Sequence, residues 1–184
     1  MMFFDEEIFR AIYSVVHRSA ILDGVIIFSA KYLVWFIVAG ALVKLFQKSN
    51  WGEHFSAWQN RFQTLALGLI AVILSRGIIA NILHSFVESP RPFVALGIEP
   101  LFNHLAVNSL PSGHIALLMP IVLTLFLLSR RAGRWGMLLT LIVGLSRVAS
   151  GIHWPSDIVT GILIGLASFA LVHSIFRKRG LLTP

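Results

Sequence analysis

The sequence predicts an all-α protein, a polytopic bundle of membrane helices. Hydrophobic residues make up 57% of the 184-residue chain, and its mean hydropathy is +0.82. Charged residues account for only 12%, against about 25% in soluble domains, so the chain cannot cover a water-facing surface. The apolar residues fall into runs of about 20, the length that crosses a bilayer. Because these runs fill the chain, we expect one membrane-embedded domain over residues 1–184.

The first 20 residues predict a helix that lies on the membrane surface. Apolar residues recur there at helical spacing and charged residues occupy the other face, as in interfacial helices. The apolar set is Phe4, Ile8, Ile12, Val15 and Val16, and the charged set is Asp5, Glu6, Arg10 and Arg18. We therefore expect an interfacial helix over 1–20 and a transmembrane bundle over 21–184.

About five transmembrane helices are predicted after this segment. Their approximate ranges are 23–46, 62–84, 111–129, 135–148 and 155–177. The last of them reaches roughly 33 Å at helical rise, which is enough to cross the hydrocarbon core. Arg76 lies inside the second, where it can line a cavity or pair with a carboxylate. A long loop, 85–110, joins the second span to the third.

Lysine and arginine cluster on one side of these spans. Nine of the fifteen basic residues belong to such clusters: Lys44, Lys48, Arg61, Arg130, Arg131, Arg134, Arg177, Lys178 and Arg179. The positive-inside bias places them in the cytoplasm, so the loops after the second and fourth spans open on the outer, periplasmic side. Basic residues in short clusters between apolar runs are topology signals, and we expect no nucleic-acid partner.

Three polar motifs occur in the outward-facing loops. They are Arg91-Pro92, then Pro111-Ser112-Gly113-His114, then Ser146-Arg147 followed by His153 and Asp157. Taken alone, the first is an ordinary loop turn and the second an ordinary helix cap. The third places an arginine, a histidine and an aspartate beside an apolar span, where ionisable groups are usually functional. Because all three reach one membrane face, we expect them to form one site.

Two of these motifs predict helix starts that attract anions. Pro111 and Pro155 suit the first turn of a helix, where a missing N–H is not needed. Free backbone N–H groups and the helix dipole favour a negative ligand there, and Gly113 allows close approach of the backbone.

The charged residues suit the chemistry of a phosphoryl group. Arg91 and Arg147 carry planar forks that match phosphate oxygens. Asp157 can accept a hydrogen bond from one nitrogen of His153 and leave the other as a nucleophile. The chain has no cysteine, which excludes a disulfide framework and a thiolate metal site, and we expect no metal ion and no cofactor.

These motifs resemble those of the type 2 phosphatidic acid phosphatases, a superfamily of lipid phosphate phosphatases. The family pattern has a lysine seven residues before Arg-Pro, then Pro-Ser-Gly-His, then Ser-Arg with His and Asp at the spacing seen here. The second and third motifs are complete, whereas the lysine position is His84. The segments 90–93 and 151–157 are most similar to bacterial undecaprenyl pyrophosphate phosphatases of the bacitracin-resistance type.

The resemblance implies an outward-facing six-helix bundle in the inner membrane and metal-independent hydrolysis of undecaprenyl pyrophosphate. With the chemistry above, it implies that His153 attacks the terminal phosphorus, oriented by Asp157, and becomes a phosphohistidine. His114 protonates the leaving oxygen and later activates water. The phosphate-binding groups are then Arg91, Ser112, Gly113, Arg147 and, in place of the lysine, His84.

Other functions remain open at this stage. Among enzymes they are a phosphatidylglycerophosphate or phosphatidate phosphatase and a phosphotransferase that passes the phosphoryl group to another lipid. A non-catalytic membrane protein that binds lipid phosphates is the alternative outside enzymes, and the missing lysine favours it. The two histidines favour an enzyme, because a binding protein needs neither a nucleophile nor an acid. The sequence does not identify the lipid or the oligomeric state.

Overall fold

A computed structural model describes residues 3–47 and 55–181 of the chain. This part is all-helical and contains no strand. The helices are α1 (Phe3–Tyr13), α2 (Ala20–Lys31), α3 (Leu33–Phe46), α4 (Phe55–Val72), α5 (Ala80–Phe86), α6 (Pro92–Ala95), α7 (Gly113–Leu128), α8 (Arg130–Ala149) and α9 (Pro155–Lys178). A π-helical segment, Ile73–Ile79, joins α4 to α5 and is called the π segment below.

Helix α7 forms the centre of the bundle and packs against α3, α4, α8 and α9. It is apolar on all sides, as expected of a helix surrounded by others. Its residues Ile115, Leu118 and Met119 pack with Ile37 of α3 and Val143 of α8 in the largest buried cluster. Because His114 lies in the first turn of α7, this packing fixes the position of that histidine.

Small residues bring α9 close to α7. A Cβ atom added at Gly165 would lie 2.4 Å from the Cβ of Met119, and one added at Gly161 would lie 3.0 Å from the backbone oxygen of Ser112. Two glycines four residues apart are the usual means of close helix approach in membranes, where small side chains let backbones meet. The first turns of α7 and α9 are therefore adjacent.

The chain is an integral membrane protein. Two helices of the described part are long and apolar enough to cross a membrane, Gln59–Phe86 and Pro155–Lys178, and a third span results if the bent pair α2–α3 is counted as one. Side chains such as Ile21 and Phe86 are 82% and 83% exposed, which suits contact with lipid rather than water. A helix occupies each of the five predicted positions, and five crossings stay a prediction.

Two of the predicted spans differ from the sequence-based expectation. The predicted first span, 23–46, is bent by 49° between α2 and α3 at Tyr32. Helix α8 begins at Arg130 rather than near 135, because Ser129 caps it by accepting a hydrogen bond from the backbone N–H of Ala132 at 3.4 Å. Arg130, Arg131 and Arg134 thus belong to a helix instead of a connecting loop.

The N-terminal helix is also shorter than predicted, since α1 ends at Tyr13. It is docked on the bundle: Phe9 is buried against Val148 and Trp154, and both carboxylate oxygens of Asp5 accept hydrogen bonds from Ser156. Its location at the membrane surface stays a prediction.

The close approach of α9 to α7 predicts a cost for any side chain at Gly165. We expect Gly165→Val to lower the free energy of unfolding by about 1–3 kcal/mol, because the new side chain must displace Met119. The matched control is Gly40→Val, at a helical glycine with no atom within 4 Å of an added Cβ. Thermal unfolding in detergent measures both, and equal shifts in the two variants would contradict the packing described here.

Candidate active site

One cavity brings most of the predicted site residues together. Its volume is about 240 Å³, and its lining includes His84, Arg91, Gly113, His114, Arg147 and His153. Asp157 and Ser112 are fully buried in the two adjoining helix starts. The first turns of α7 and α9 meet there, since the backbone N–H of Ser112 donates to the backbone oxygen of Asp157 at 3.1 Å.

Asp157 holds His153 in place. The Nδ1 atom of His153 lies 3.1 Å from Oδ2 of Asp157, and the same oxygen accepts the backbone N–H of Trp154 at 2.7 Å. The hydroxyl of Ser109 donates to Oδ1 at 3.4 Å. Asp157 lies in the first turn of α9, after Pro155, so the local sequence itself turns the carboxylate back toward the preceding loop. His153 is only 2% exposed.

The other nitrogen of His153 faces two arginines. Its Nε2 atom lies 3.3 Å from Nη2 of Arg147 and 3.5 Å from Nη1 of Arg91. A guanidinium can only donate hydrogen bonds, so Nε2 is an acceptor and Nδ1 carries the proton that is donated to Asp157. Burial, and then the charges of Arg147 and Arg91, hold the pKa of His153 well below its usual range. The imidazole is therefore neutral, with its lone pair directed toward the cationic side of the cavity.

Each arginine is anchored to the backbone on one side. Arg91 donates from Nη1 to the carbonyl oxygen of Ile152 at 2.7 Å and from Nη2 to that of Asn108 at 3.2 Å. Arg147 donates from Nη1 to the carbonyl oxygen of Ala30 at 3.0 Å. Burial lowers the pKa of Arg91, and the nearby Asp157 opposes this effect. These anchors orient the two guanidinium planes toward His153.

Several donors in this region await an acceptor. Within the described residues, five buried side-chain atoms have no hydrogen-bond partner, and three of them are Nε of Arg91, Nε of Arg147 and the hydroxyl of Ser112. Buried polar atoms without a partner are rare, because each one costs free energy. The two arginines line the cavity and Ser112 lies at the adjoining start of α7, so this group of unpaired donors suits an anionic ligand. The other two atoms are the hydroxyls of Thr140 and Ser168, which do not line the cavity.

His84 lies on the cavity wall. Its Nδ1 atom is 3.0 Å from the carbonyl oxygen of Leu110, so Nδ1 carries a proton. The backbone oxygen of His84 accepts a hydrogen bond from the side chain of Asn108 at 2.9 Å, which ties the end of α5 to the loop that follows. The structure places His84 at the cavity, and its contact with a phosphate stays a prediction.

The site also contains residues that the sequence analysis did not assign to it. Asn81 and His104 line the cavity, and Ser109 contacts the buried carboxylate. Arg76 lines the cavity too, which is one of the two roles that the sequence left open for it. A charged residue inside an apolar span was the one available signal for Arg76. Nothing in the sequence distinguishes His104, Asn81 or Ser109 from ordinary polar residues. Among the described residues, no group of three or more metal-ligating side chains occurs.

The family model of the PAP2 superfamily matches residues 65–181. Undecaprenyl-diphosphatase BcrC of Bacillus subtilis is 31% identical over 97% of this chain and 86% of its own length. The bacitracin transport permease protein BcrC of Bacillus licheniformis is 29% identical over 89% of this chain and 76% of its own length. Lipid A 1-phosphatase of Rhizobium johnstonii is 28% identical over 62% of this chain and 49% of its own.

Two solved structures share the fold. The crystal structure of Aquifex aeolicus LpxE superposes with a TM-score of 0.69 and covers 94% of this chain and 96% of its own, at 21% identity. A transmembrane PAP2-type phosphatidylglycerolphosphate phosphatase from Bacillus subtilis superposes with a TM-score of 0.62 and covers 96% of this chain and 88% of its own, at 21% identity.

The hydrogen bonds of His153 predict its tautomer and charge. We expect ¹⁵N NMR of histidine-labelled protein to show a neutral His153 protonated at Nδ1, and to show no titration near the usual histidine pKa of about 6.5. Because burial lowers its pKa, protonation should begin only at lower pH. Asp157→Asn is the control, since an amide can donate to Nδ1 and so populate the other tautomer. A wild-type His153 that titrates near pH 6.5 would show that the imidazole is not buried between the arginines.

Proposed function

The chain belongs to the PAP2 superfamily, and from that membership we propose that it removes the terminal phosphate of a lipid diphosphate, converting undecaprenyl diphosphate to undecaprenyl phosphate. It is a PAP2 membrane lipid phosphatase. The observation that carries the finer proposal is the buried His153–Asp157 pair, whose free nitrogen faces two arginines in one cavity. The choice of lipid is supported by the relative from Bacillus subtilis, which aligns with 97% of this chain.

The first step is attack by Nε2 of His153 on the terminal phosphorus. A P–N bond forms and the bond to the bridging oxygen breaks, which leaves a phosphohistidine and a lipid monophosphate. The arginine N–H groups point at the Nε2 lone pair. Phosphate oxygens are stronger acceptors for guanidinium groups, so substrate binding draws these donors away and frees the lone pair. Asp157 stabilises the imidazolium character that develops on His153.

His114 moves the protons in both steps. In the first turn of α7 it lines the same cavity as His153, where it can protonate the bridging oxygen as that oxygen leaves. In the second step His114 takes a proton from the water that attacks the phosphohistidine. The P–N bond then breaks, inorganic phosphate is released, and His153 returns to its neutral state.

The terminal phosphate is held by arginines and by the start of α7. Arg91 and Arg147 supply charged donors, and the hydroxyl of Ser112 and the backbone N–H of Gly113 supply neutral ones. These groups lie where negative charge spreads over the equatorial oxygens in the transition state. His84 is proposed as a further donor from the cavity wall.

The proposed location is the inner membrane of a bacterium, with the site on the outer, periplasmic face. The basic clusters support this orientation. Lys44 lies in the last turn of α3, and Arg177 and Lys178 lie in the last turn of α9, at the helix ends away from the site. Basic residues at membrane helix ends favour the cytoplasmic side. The proposed partners are the lipid phosphate substrate and the surrounding membrane lipids.

A lipid monoester is the second candidate substrate. It is favoured by the lipid A 1-phosphatase and the phosphatidylglycerolphosphate phosphatase among the similar proteins. The alignment with the lipid A 1-phosphatase covers 49% of that protein's length. Transfer of the phosphoryl group to another lipid needs the same phosphohistidine and differs only in the acceptor. A protein that binds lipid phosphates without reaction is the alternative outside enzymes.

The proposed function is tested by phosphate release from matched lipids. Purified protein in detergent is given undecaprenyl diphosphate, phosphatidate and phosphatidylglycerophosphate side by side. The proposal expects the highest kcat/KM for the diphosphate. A preference for either monoester would refute the proposed substrate. The absence of phosphate release from all three lipids would refute the proposed phosphatase activity.

Turnover is expected to need no divalent metal ion. The arginines supply the positive charge that a metal would otherwise bring to the phosphate, and the chain has no cysteine to bind one. Activity should therefore persist in excess EDTA. Complete loss in EDTA, restored by added magnesium, would contradict this mechanism.

The two histidines are expected to fail in different ways. His153→Ala should abolish formation of the phosphoenzyme, because it removes the nucleophile. His114→Ala should slow turnover of a lipid diphosphate by about 100-fold or more, yet still allow labelling by a substrate whose leaving group needs no proton. The measurement is ³²P incorporation after rapid quenching. Equal loss of labelling in both variants with the activated substrate would contradict the separate roles assigned to the two histidines.

A further inference from the structure

The π segment places a third arginine at the cavity. In Ile73–Ile79 the backbone hydrogen bonds join residues five positions apart. Such segments are rare in proteins as a whole, and those that occur are often found at functional sites. The hydroxyl of Ser75, which is fully buried, donates to the backbone oxygen of Ala116 in α7 at 2.8 Å. This bond fixes the π segment against the first turns of α7. The next residue is Arg76, whose side chain lines the cavity.

Arg76 lies directly over the start of α7. A Cβ atom at Gly113 would be 2.6 Å from its Nε, so the absence of a side chain at Gly113 makes room for the guanidinium. Nη1 of Arg76 donates to Oδ1 of Asn81 at 2.8 Å, and Asn81 in turn donates to the backbone oxygen of Gly77 at 2.9 Å. The guanidinium is thus held in position by a neutral partner.

The charge of Arg76 has no counterion in the part of the chain that the structure describes. The ion pairs there join Arg10 to Glu6 and His153 to Asp157. Arg76 belongs to the long apolar helix Gln59–Phe86, where an arginine is costly and is normally retained for a ligand or a partner. An anionic ligand in the cavity would supply the missing negative charge.

The position of Arg76 differs from that of the other two arginines. Arg91 and Arg147 contact Nε2 of the nucleophile, His153. Arg76 lies at the first turn of α7, over Gly113, and lines the cavity together with His114, the residue that follows Gly113. In the proposed reaction His114 faces the oxygen that leaves. When the substrate is a diphosphate, that oxygen belongs to the phosphate attached to the lipid.

We propose that Arg76 binds the lipid-linked phosphate of a diphosphate substrate and thereby selects lipid diphosphates over lipid monoesters. The inference rests on the proposed function and deepens it, since it identifies the group that recognises the second phosphate. The cavity volume of about 240 Å³ is many times the ~10–15 Å³ of cavity that holds one water molecule, which leaves room for two linked phosphates. Negative charge builds up on the departing phosphate, so the contact strengthens in the transition state.

The test compares two substrates that differ by one phosphate. Farnesyl diphosphate and farnesyl monophosphate are given to the full-length wild-type protein, Arg76→Gln and Arg76→Lys in detergent. Arg76→Gln should lower kcat/KM for the diphosphate by about 10-fold to 100-fold, the loss expected for one charge-assisted hydrogen bond. The same variant should change kcat/KM for the monoester by less than about threefold. Arg76→Lys should recover part of the lost diphosphate activity, since it keeps the charge without the planar fork.

The matched control is Arg134→Gln, which removes an exposed arginine of α8 outside the cavity. It should leave the ratio of the two kcat/KM values unchanged. Hydrolysis of the monoester by Arg76→Gln shows that the variant is folded. Equal loss on both substrates, or no loss on either, overturns the role of Arg76 while the proposed function stands. A wild type that hydrolyses the monoester alone refutes the proposed diphosphate substrate, and the role of Arg76 with it.

Discussion

The buried carboxylate of Asp157 is the group on which the rest of the site depends. It accepts hydrogen bonds from His153, from the backbone of Trp154 and from Ser109, while the backbone oxygen of the same residue accepts from Ser112. A buried charge is tolerated only when such partners surround it. Through these bonds one residue joins the loop before α9, the loop before α7 and the first turns of both helices. Its carboxylate positions His153, the proposed nucleophile, and sets the tautomer of that histidine, while its backbone oxygen holds the start of α7.

The site is built with more positive than negative charge. Arg91 and Arg147 are buried on either side of His153, and Arg76 extends the cationic wall toward His114. Burying like charges together costs stability, and the close packing of α7 on α9 helps to hold them in place. In the proposed function a bound phosphate neutralises the excess charge and accepts from the unpaired donors, so substrate binding would relieve this cost. Burial, and then the same charges, hold the pKa of His153 low and keep it neutral, the form in which its lone pair can act as a nucleophile.

The sequence predicted the helical class and most of the cavity, because both depend on local patterns. Apolar runs mark helices at any position in a bundle, and Pro111 and Pro155 mark helix starts wherever they occur. The bonds from Ser156 to Asp5 and from Ser109 to Asp157 join residues 151 and 48 positions apart, and no local pattern encodes them. Neither the bend at Tyr32 nor the π segment has a signal in the local apolar pattern, so the sequence did not reveal them. Arg76 was visible as an unusual charge, but its place over Gly113 required the packing of α7.

In the proposed mechanism the phosphoryl group is transferred twice, first to His153 and then to water. Each transfer is an in-line displacement that inverts the configuration at phosphorus. The direct measurement uses a lipid diphosphate whose terminal phosphate is made chiral with oxygen isotopes and sulfur, with the configuration of the released thiophosphate read after hydrolysis in labelled water. Two displacements predict net retention of configuration. Net inversion would mean that water attacks the substrate directly, and His153 would then not be the nucleophile.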